Sequence, residues 1–427
     1  MKVSGWGRYP VIESKEISLS CSSLWKRDFI PKGNLRSYGD SALSEIHTDM
    51  LKHNKFLSFD EKSGILSIEA GVLLSEIIEV FLPKGWFLGV VPGTKFITIG
   101  GAIASDIHGK NHHKDGCFSN FVESFKLQIS EDKIVDCSRN SHLDLFESTC
   151  GGMGLTGIIK EVSIRLHRVS SKNIVQQTFK CNNLKETFNA FEENSSATYS
   201  VAWIDCLQKK NKLGRSLVMT GEFCNDNNLK LDTKKKFTIP FYFPSFFLSK
   251  LTVKLFNFLY FNRVRKSENT NIVDFENFFF PLDSINHWNK IYGDKGFFQF
   301  QFILPKKNSY VGMRHVLEVL AENNAGSFLA VLKLYGKENN NLLSFPMNGY
   351  SLALDFKNNK ENIKLVSSLT DYIIGIKGRV YLTKDSVMTY EQFNKSYKNI
   401  AKFKSLREKY NLNKTFVSLQ SKRLLND

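Results

Sequence analysis

The chain has little that would cross-link it or bind a metal. Its seven cysteines, at 21, 117, 137, 150, 181, 206 and 224, are an odd set without a CxxC pair. That argues against a disulfide framework and reads as free thiols in a reducing compartment. His108, His112 and His113 follow the order H-x-x-x-H-H, without the glutamate of HExxH or a neighbouring cysteine pair, so no metal site is expected. The N-terminus, MKVSGWGRYPVIES, has no apolar core of a signal peptide, and a cytoplasmic protein is expected. The longest uncharged run within residues 237–262 is the 13 residues 237–249, short of the roughly 20 that cross a bilayer. Prolines number only 9 and hydrophobic residues make up 42%, the composition of a globular protein. Internal repeats and low-complexity linkers are absent, as is any Lys/Arg-dense motif of the kind that reads DNA; no nucleic-acid partner is expected.

What is abundant is positive charge and locally clustered glycine. Lysine and arginine total 58 against 42 acidic residues, a net charge of +16, which favours an anionic partner such as lipid headgroups or a phosphorylated substrate. Residues 91–116, VPGTKFITIGGAIASDIHGKNHHKDG, place Gly93, Gly100, Gly101, Gly109 and Gly116 around Asp106 and His108. Residues 31–42, PKGNLRSYGDSA, bracket Arg36, Ser37 and Tyr38 between Gly33 and Gly39. Backbone this free of side chains lets a ligand lie against N–H groups. Two such loops read as the cradle of one long, phosphate-bearing cofactor.

At 427 residues the chain has room for two domains, each with its own core. Up to about residue 169, β-branched runs alternate with glycine turns: strands over 64–71, 121–130, 133–138 and 157–169, and a helix over 73–85 that stops near Pro83. Helices mixed with strands predict an α+β fold. From about residue 170 a second domain is expected. There FFQFQFIL sets Gln299 and Gln301 on the face opposite Phe298, Phe300 and Phe302. FLAVLKLYG sets Lys333 and Tyr335 opposite Leu332 and Leu334, and YSLALDF sets Ser351, Ala353 and Asp355 opposite Leu352 and Leu354. One sheet face then carries sparse polar groups, as either a substrate pocket or a solvated surface would. Gly152, Gly154 and Gly157 match G-x-G-x-x-G, but a helix-like segment precedes them and a β-rich one follows. This is the reverse of a nicotinamide-binding turn.

Residues 237–262, FTIPFYFPSFFLSKLTVKLFNFLYFN, are aromatic, with Lys234, Lys235 and Lys236 before them and Arg263, Arg265 and Lys266 after. The pattern fits a membrane-facing lid, with Phe246, Phe247 and Leu248 touching lipid, or alternatively a buried helix pair.

PKGNLRSYGDSA followed by VPGTKFITIGGAIASDIHGKNHH resembles the flavin-binding half of the vanillyl-alcohol oxidase / para-cresol methylhydroxylase superfamily. TCGGMGLTGII, FFFPLDSINHWNKIYGDKGFFQFQFILP, FLAVLKLYG and RVYLTKDS extend the likeness over nearly the whole chain. Within the superfamily they resemble the decaprenylphosphoryl-β-D-ribose 2′-oxidase family. The resemblance implies a two-domain, PCMH-type FAD-binding fold: residues 1–169 for FAD, residues 170–377 forming an antiparallel-sheet substrate domain, and residues 378–427 returning to the FAD domain.

It further implies that FAD contacts Gly33, Asn34, Leu35, Arg36, Ser37, Tyr38, Gly39 and Asp40 in the first loop. The second loop would supply Gly93, Thr98, Ile99, Gly100, Gly101, Ser105, Asp106, Ile107 and His108, with Ile158 or its neighbour (by backbone) and Tyr381 adding contacts. Arg36 stands where many superfamily members carry a flavin-linking histidine, so FAD is expected to be non-covalent. Gln299, Gln301, Lys333, Tyr335, Ser351 and Lys384 would face substrate, with catalytic His108 near the reacting carbon and catalytic Lys384 near the flavin N1/O2 edge. Lys384 would act either as base or as stabiliser of reduced flavin. The implied reaction oxidises the 2′-hydroxyl of a polyprenyl-phosphate-linked ribose, the first half of an epimerisation to arabinose for cell-surface glycan. An NAD(P)H-dependent short-chain reductase would complete it, and the enzyme would sit peripherally on the inner membrane. A soluble FAD-dependent sugar or alditol oxidase is the alternative. Two departures are visible: Ala353 where the mycobacterial form has cysteine, and Phe279 where relatives tend to carry tyrosine.

Overall fold

The computed structural model describes residues 1–232, 236–244, 249–327 and 329–427. Lys234, Lys235, Phe246, Phe247 and Leu248, assigned above to a lipid-facing lid and its rim, lie outside them.

Two antiparallel sheets organise the α+β fold. The first has six strands. Its path runs Lys133–Ser138, Val122–Ser130, Ile158–Arg168, Ile65–Glu69, Phe56–Asp60, and Trp86–Leu88 pairs with the far end of Ile158–Arg168. Alternation decides the faces: in ILSIE, Leu66 and Ile68 are buried while Ile65, Ser67 and Glu69 are only partly so. The helix Leu74–Phe81 packs Leu74, Ile77, Ile78 and Phe81 into the core behind this sheet. It gives way at Pro83 to a 3-10 turn that closes on Gly85 at φ 77°, a conformation favouring glycine. Lys15–Glu16, Ile46–Asp49 and Ile30–Lys32 make a small parallel sheet that launches the first glycine loop.

The second sheet has eight strands in the order Glu268–Asp274, Asn173–Cys181, Ser216–Phe223, Tyr199–Ile204, Ala330–Tyr335, Gly349–Lys357, Phe297–Pro305, Arg379–Val380. Phe298, Phe300, Phe302, Leu332, Leu352 and Leu354 fill its core face. The helices Leu184–Glu193, Lys306–Glu322 and Lys360–Gly375 bury residues in the same core. The opposite face looks toward the glycine loops.

The C-terminal segment bridges the two halves. Its first strand, Arg379–Val380, extends the edge of the second sheet, so residue 378 is not a clean boundary. The helix Tyr390–Ser396 packs on the second-half helix Lys360–Gly375, Gln392 donating to Asp371, while later residues reach the first half: Arg407 donates to the Leu155 carbonyl, and Thr415 and Val417 bond to Phe29.

Candidate functional site

A cavity of about 810 Å³ lies between the glycine loops and the open face of the second sheet. At one end the loop of residues 33–37 supplies backbone. Leu35 has φ 48°, which turns successive amides to one side as in an anion-binding nest. Among the described residues, no protein acceptor takes the amides of Asn34, Leu35, Arg36 or Ser37. Asn34 ties this loop to the second one by donating to the Phe96 carbonyl at 2.8 Å. The Arg36 guanidinium stacks on Trp6, 4.0 Å from the ring centroid, with its Nε buried and unpartnered among the described residues. A Cβ on Gly93 would meet no atom within 4 Å, and one on Gly101 only Thr98 Oγ1 at 3.0 Å. Both glycines therefore keep the cavity open for a ligand.

The first loop is locked to the turn that carries Lys384. Tyr38 and Gly39 donate their amides to the Thr383 carbonyl, and a Cβ on Gly39 would fall 2.0 Å from the Asp385 carbonyl oxygen. Arg423 pairs with Asp40 at 2.7 Å and with Asp385 at 3.0 Å, clamping both segments. Gln420 holds the turn by donating to the Leu382 carbonyl at 2.7 Å. Lys384 Nζ emerges into the cavity 4.1 Å from the Tyr38 ring centroid. Burial pushes its pKa down; Asp355 pulls it back up and Lys333 presses it further down. Asp355, buried opposite Gln299 in the sheet register, is pushed up by the same loss of water. It accepts from Tyr292 Oη at 2.9 Å and Gln299 Nε2 at 2.5 Å.

His108 faces the same space between Tyr335 and Tyr381, each ring centroid 5.0 Å away. Gln301 Nε2 lies 2.8 Å from His108 Nε2 and also reaches Tyr335 Oη and Ser351 Oγ, each at 3.2 Å. With the amide donating, His108 carries its proton on Nδ1, which is buried and unpartnered among the described residues. Burial, reinforced by Lys333, His112 and Lys384, holds the ring neutral. Lys333 falls to about 8 through burial, and Lys110 to about 7 through burial and Lys333. Lys110 donates to the Phe279 carbonyl at 3.2 Å. None of Lys110, Lys333 or Lys384 has a carboxylate within ion-pair distance among the described ion pairs. The cavity thus concentrates positive charge beside apolar walls, a setting that attracts an anion.

Residues 19–138, which hold both loops, match the FAD-binding domain family. Decaprenylphosphoryl-β-D-ribose oxidase of Mycolicibacterium smegmatis is 31% identical over 99% of this chain and 97% of its own. The chain belongs to the decaprenylphosphoryl-β-D-ribose oxidase family. It is an FAD-dependent oxidoreductase of PCMH-type fold. It is also similar to an uncharacterised Streptomyces coelicolor protein, 24% identical over 83% of this chain and all of that one. A D-lactate dehydrogenase of Anaerostipes hadrus is 28% identical over 27% of this chain and 26% of its own.

The open amides, the unpartnered Arg36 and His108 nitrogens, and the two bare glycines fit FAD laid along the cavity, as the family requires. Gly33, Asn34, Leu35, Arg36, Ser37, Tyr38, Gly93, Thr98, Gly100, Gly101, Ser105, Ile107, His108 and Tyr381 line it, as do Gln299, Gln301, Lys333, Ser351 and Lys384. Six expected contacts do not. Asp40 and Gly39 sit behind the loop in the Arg423 clamp. Ile99 and Ile158 are buried in the core, with Gly157 and Ile159 reaching the cavity instead. Tyr335 stands behind Gln301. Asp106, at φ 38° and fully buried, points away and accepts from the Ser119 amide, Asn339, Asn341 and Ser344 Oγ.

His112 and His113 also turn aside, His112 accepting from the Gly336 amide and His113 bonding the Ala197 carbonyl. The Gly152–Gly157 run follows the helix Leu143–Thr149 and precedes the strand Ile158–Arg168, the reverse of a dinucleotide turn. Lys110, Trp6, Asp283 and Asp355 line the cavity without having been expected as site residues. Lys110 lies within DIHGKNHH and Asp355 on the Ser351 face, so both carried a legible signal. Asp283 lies within FFFPLDSINHW and so carried one too, whereas Trp6 carried none.

Proposed function

We propose that the protein oxidises the 2′-hydroxyl of a ribose joined through phosphate to a polyprenyl chain, yielding a 2′-keto sugar. The observation that carries this reading is the convergence of Lys384, His108 and the unpaired Lys333 and Lys110 in one cavity that the two glycine loops border, in a chain of this family. Bound FAD would supply the hydride acceptor for this oxidation. Lys384 takes the hydroxyl proton, for which its lowered pKa suits it. Neutral His108, oriented by Gln301, offers Nδ1–H as a donor toward the cofactor or sugar. Lys333 and Lys110 hold the phosphate. A keto sugar leaving this site needs reduction on the opposite face to become arabinose, the work of a separate NAD(P)H-dependent short-chain reductase. Anaerobic bleaching of the flavin by polyprenylphosphoryl ribose, but not by free ribose or an alditol, tests the assignment.

Arginine at position 36 cannot form the histidyl link to flavin, and FAD is held non-covalently. Acid precipitation of the yellow protein should leave intact FAD in the supernatant. Flavin that stays with the pellet would show a covalent bond.

The enzyme works at the cytoplasmic membrane surface. Among the described residues no helix is long and apolar enough to cross a bilayer. The helix Lys250–Asn262 instead exposes Leu251, Leu255, Phe258 and Leu259, with Leu251 78% exposed, beside Lys250, Lys254, Arg263 and Lys266. An apolar face with a basic border suits an interface with anionic lipid. Serine at all four apolar positions should release the protein from anionic vesicles without loss of FAD. Retention on vesicles by that variant would put the contact elsewhere.

A further inference from the structure

The cavity face of the second sheet changes character strand by strand. Gln299 and Gln301 lie on the strand Phe297–Pro305, and Ser351, Ala353 and Asp355 on Gly349–Lys357. Lys333 stands on the next strand, opposite Ser351. Beyond it the lining is apolar until Gln176 on Asn173–Cys181. Val331 on that strand, Val201 and Trp203 on Tyr199–Ile204, and Met219 on Ser216–Phe223 continue the lining, with Trp203 opposite Val331 and Val201 opposite Met219.

The helix Lys250–Asn262 roofs this apolar stretch and has three distinct faces. Its inner face is anchored: buried Asn257 donates to Asp205 at 2.7 Å, Arg215 grips the same carboxylate at 2.8 Å, and Phe261 packs with Trp203 and Leu217. A second face turns Phe256 and Tyr260 into the cavity, Tyr260 lying 4.8 Å from Trp203 between ring centroids. The third is the exposed apolar face described above. The cavity therefore runs from the Lys384 end, past the cation at Lys333, into an apolar trench whose roof is the greasy helix.

We propose that this trench seats the first isoprene units of a polyprenyl phosphate, its phosphate held at the inner end by Lys333 and Lys110. The inference rests on the function proposed above. A cation at the border, apolar and aromatic walls beyond it, and a lipophilic outer rim match the order of groups in such a lipid: phosphate, first isoprenes, long tail. The enzyme thereby recognises the lipid by its first units and leaves the remainder in the membrane.

The test uses FAD-loaded full-length protein and two sugar-free ligands, geranyl phosphate and butyl phosphate, titrated by calorimetry without membranes. Each buried methylene is worth about fourfold in affinity, so geranyl phosphate should bind about 100-fold tighter or more. Met219→Asp and Tyr260→Ser should collapse that ratio while leaving FAD content and butyl phosphate binding in place. Leu255→Ser with Leu259→Ser, on the outer face, should keep it. Equal affinities in the wild type, or an undiminished ratio in both trench variants, would overturn the proposal. Discrimination between the ligands without flavin reduction by prenylphosphoryl ribose would keep the trench and remove the sugar chemistry. Reduction without discrimination would do the reverse.

Discussion

Lys384→Ala slows anaerobic flavin reduction by polyprenylphosphoryl ribose by about 100-fold or more, the usual loss on removing a positioned proton acceptor. Its FAD content stays normal, because the turn is held through the backbone and by its neighbours Asp385 and Leu382. The pH profile identifies the role. Burial lowers the lysine's pKa, so the neutral, proton-accepting form gains population as pH rises, and the wild-type rate rises with it. The variant should lack that rise. A wild-type rate that falls with pH would instead mark the ammonium as the active form. Lys333→Ala behaves differently: a phosphate contact is alike in ground and transition states, so KM rises while kcat holds. Full-rate reduction in Lys384→Ala would remove that residue from the mechanism.

Asp106→Ala costs about 3 kcal/mol or more of folding stability, since each buried donor left unpaired costs about 1–3 kcal/mol. The carboxylate accepts from the Ser119 amide at 3.2 Å, from Asn339 and Asn341 at 2.8 Å each, and from Ser344 Oγ at 2.6 Å. It thereby fastens residues 339–344 beneath the His108 segment. Asp106→Asn keeps the shape but turns half of the acceptor into a donor facing other donors, and should fall between alanine and wild type. Urea denaturation of the FAD-loaded proteins measures the difference. A loss below about 0.5 kcal/mol, the range of ordinary surface changes, would contradict the role given to this network.

The two glycine loops and the alternation in FFQFQFIL, LAVLKLYG and YSLALDF were legible because each is a local property of the chain. A period of two sorts residues onto faces whatever lies beyond them, and Gln299, Gln301, Lys333, Ser351 and Ala353 all line the cavity. Alternation does not say how deep along a strand the cavity reaches, and Tyr335, two residues past Lys333, falls behind Gln301. Asp40 and Asp106 look like ligand contacts in a loop motif. Their true partners, Arg423 and residues 339–344, are hundreds of positions away. The aromatic segment before residue 263 resisted a choice between core and surface because its helix is both. Val253, Asn257 and Phe261 are buried while Leu251, Leu255 and Leu259 are exposed.

The central claim is the carbon that is oxidised. Mass spectrometry of polyprenylphosphoryl ribose after incubation with the FAD-loaded enzyme and an electron acceptor tests it most directly. The account predicts a product lighter by two hydrogens, into which borodeuteride places deuterium at C2 of the pentose. An unchanged donor, or deuterium at any other carbon, would contradict it.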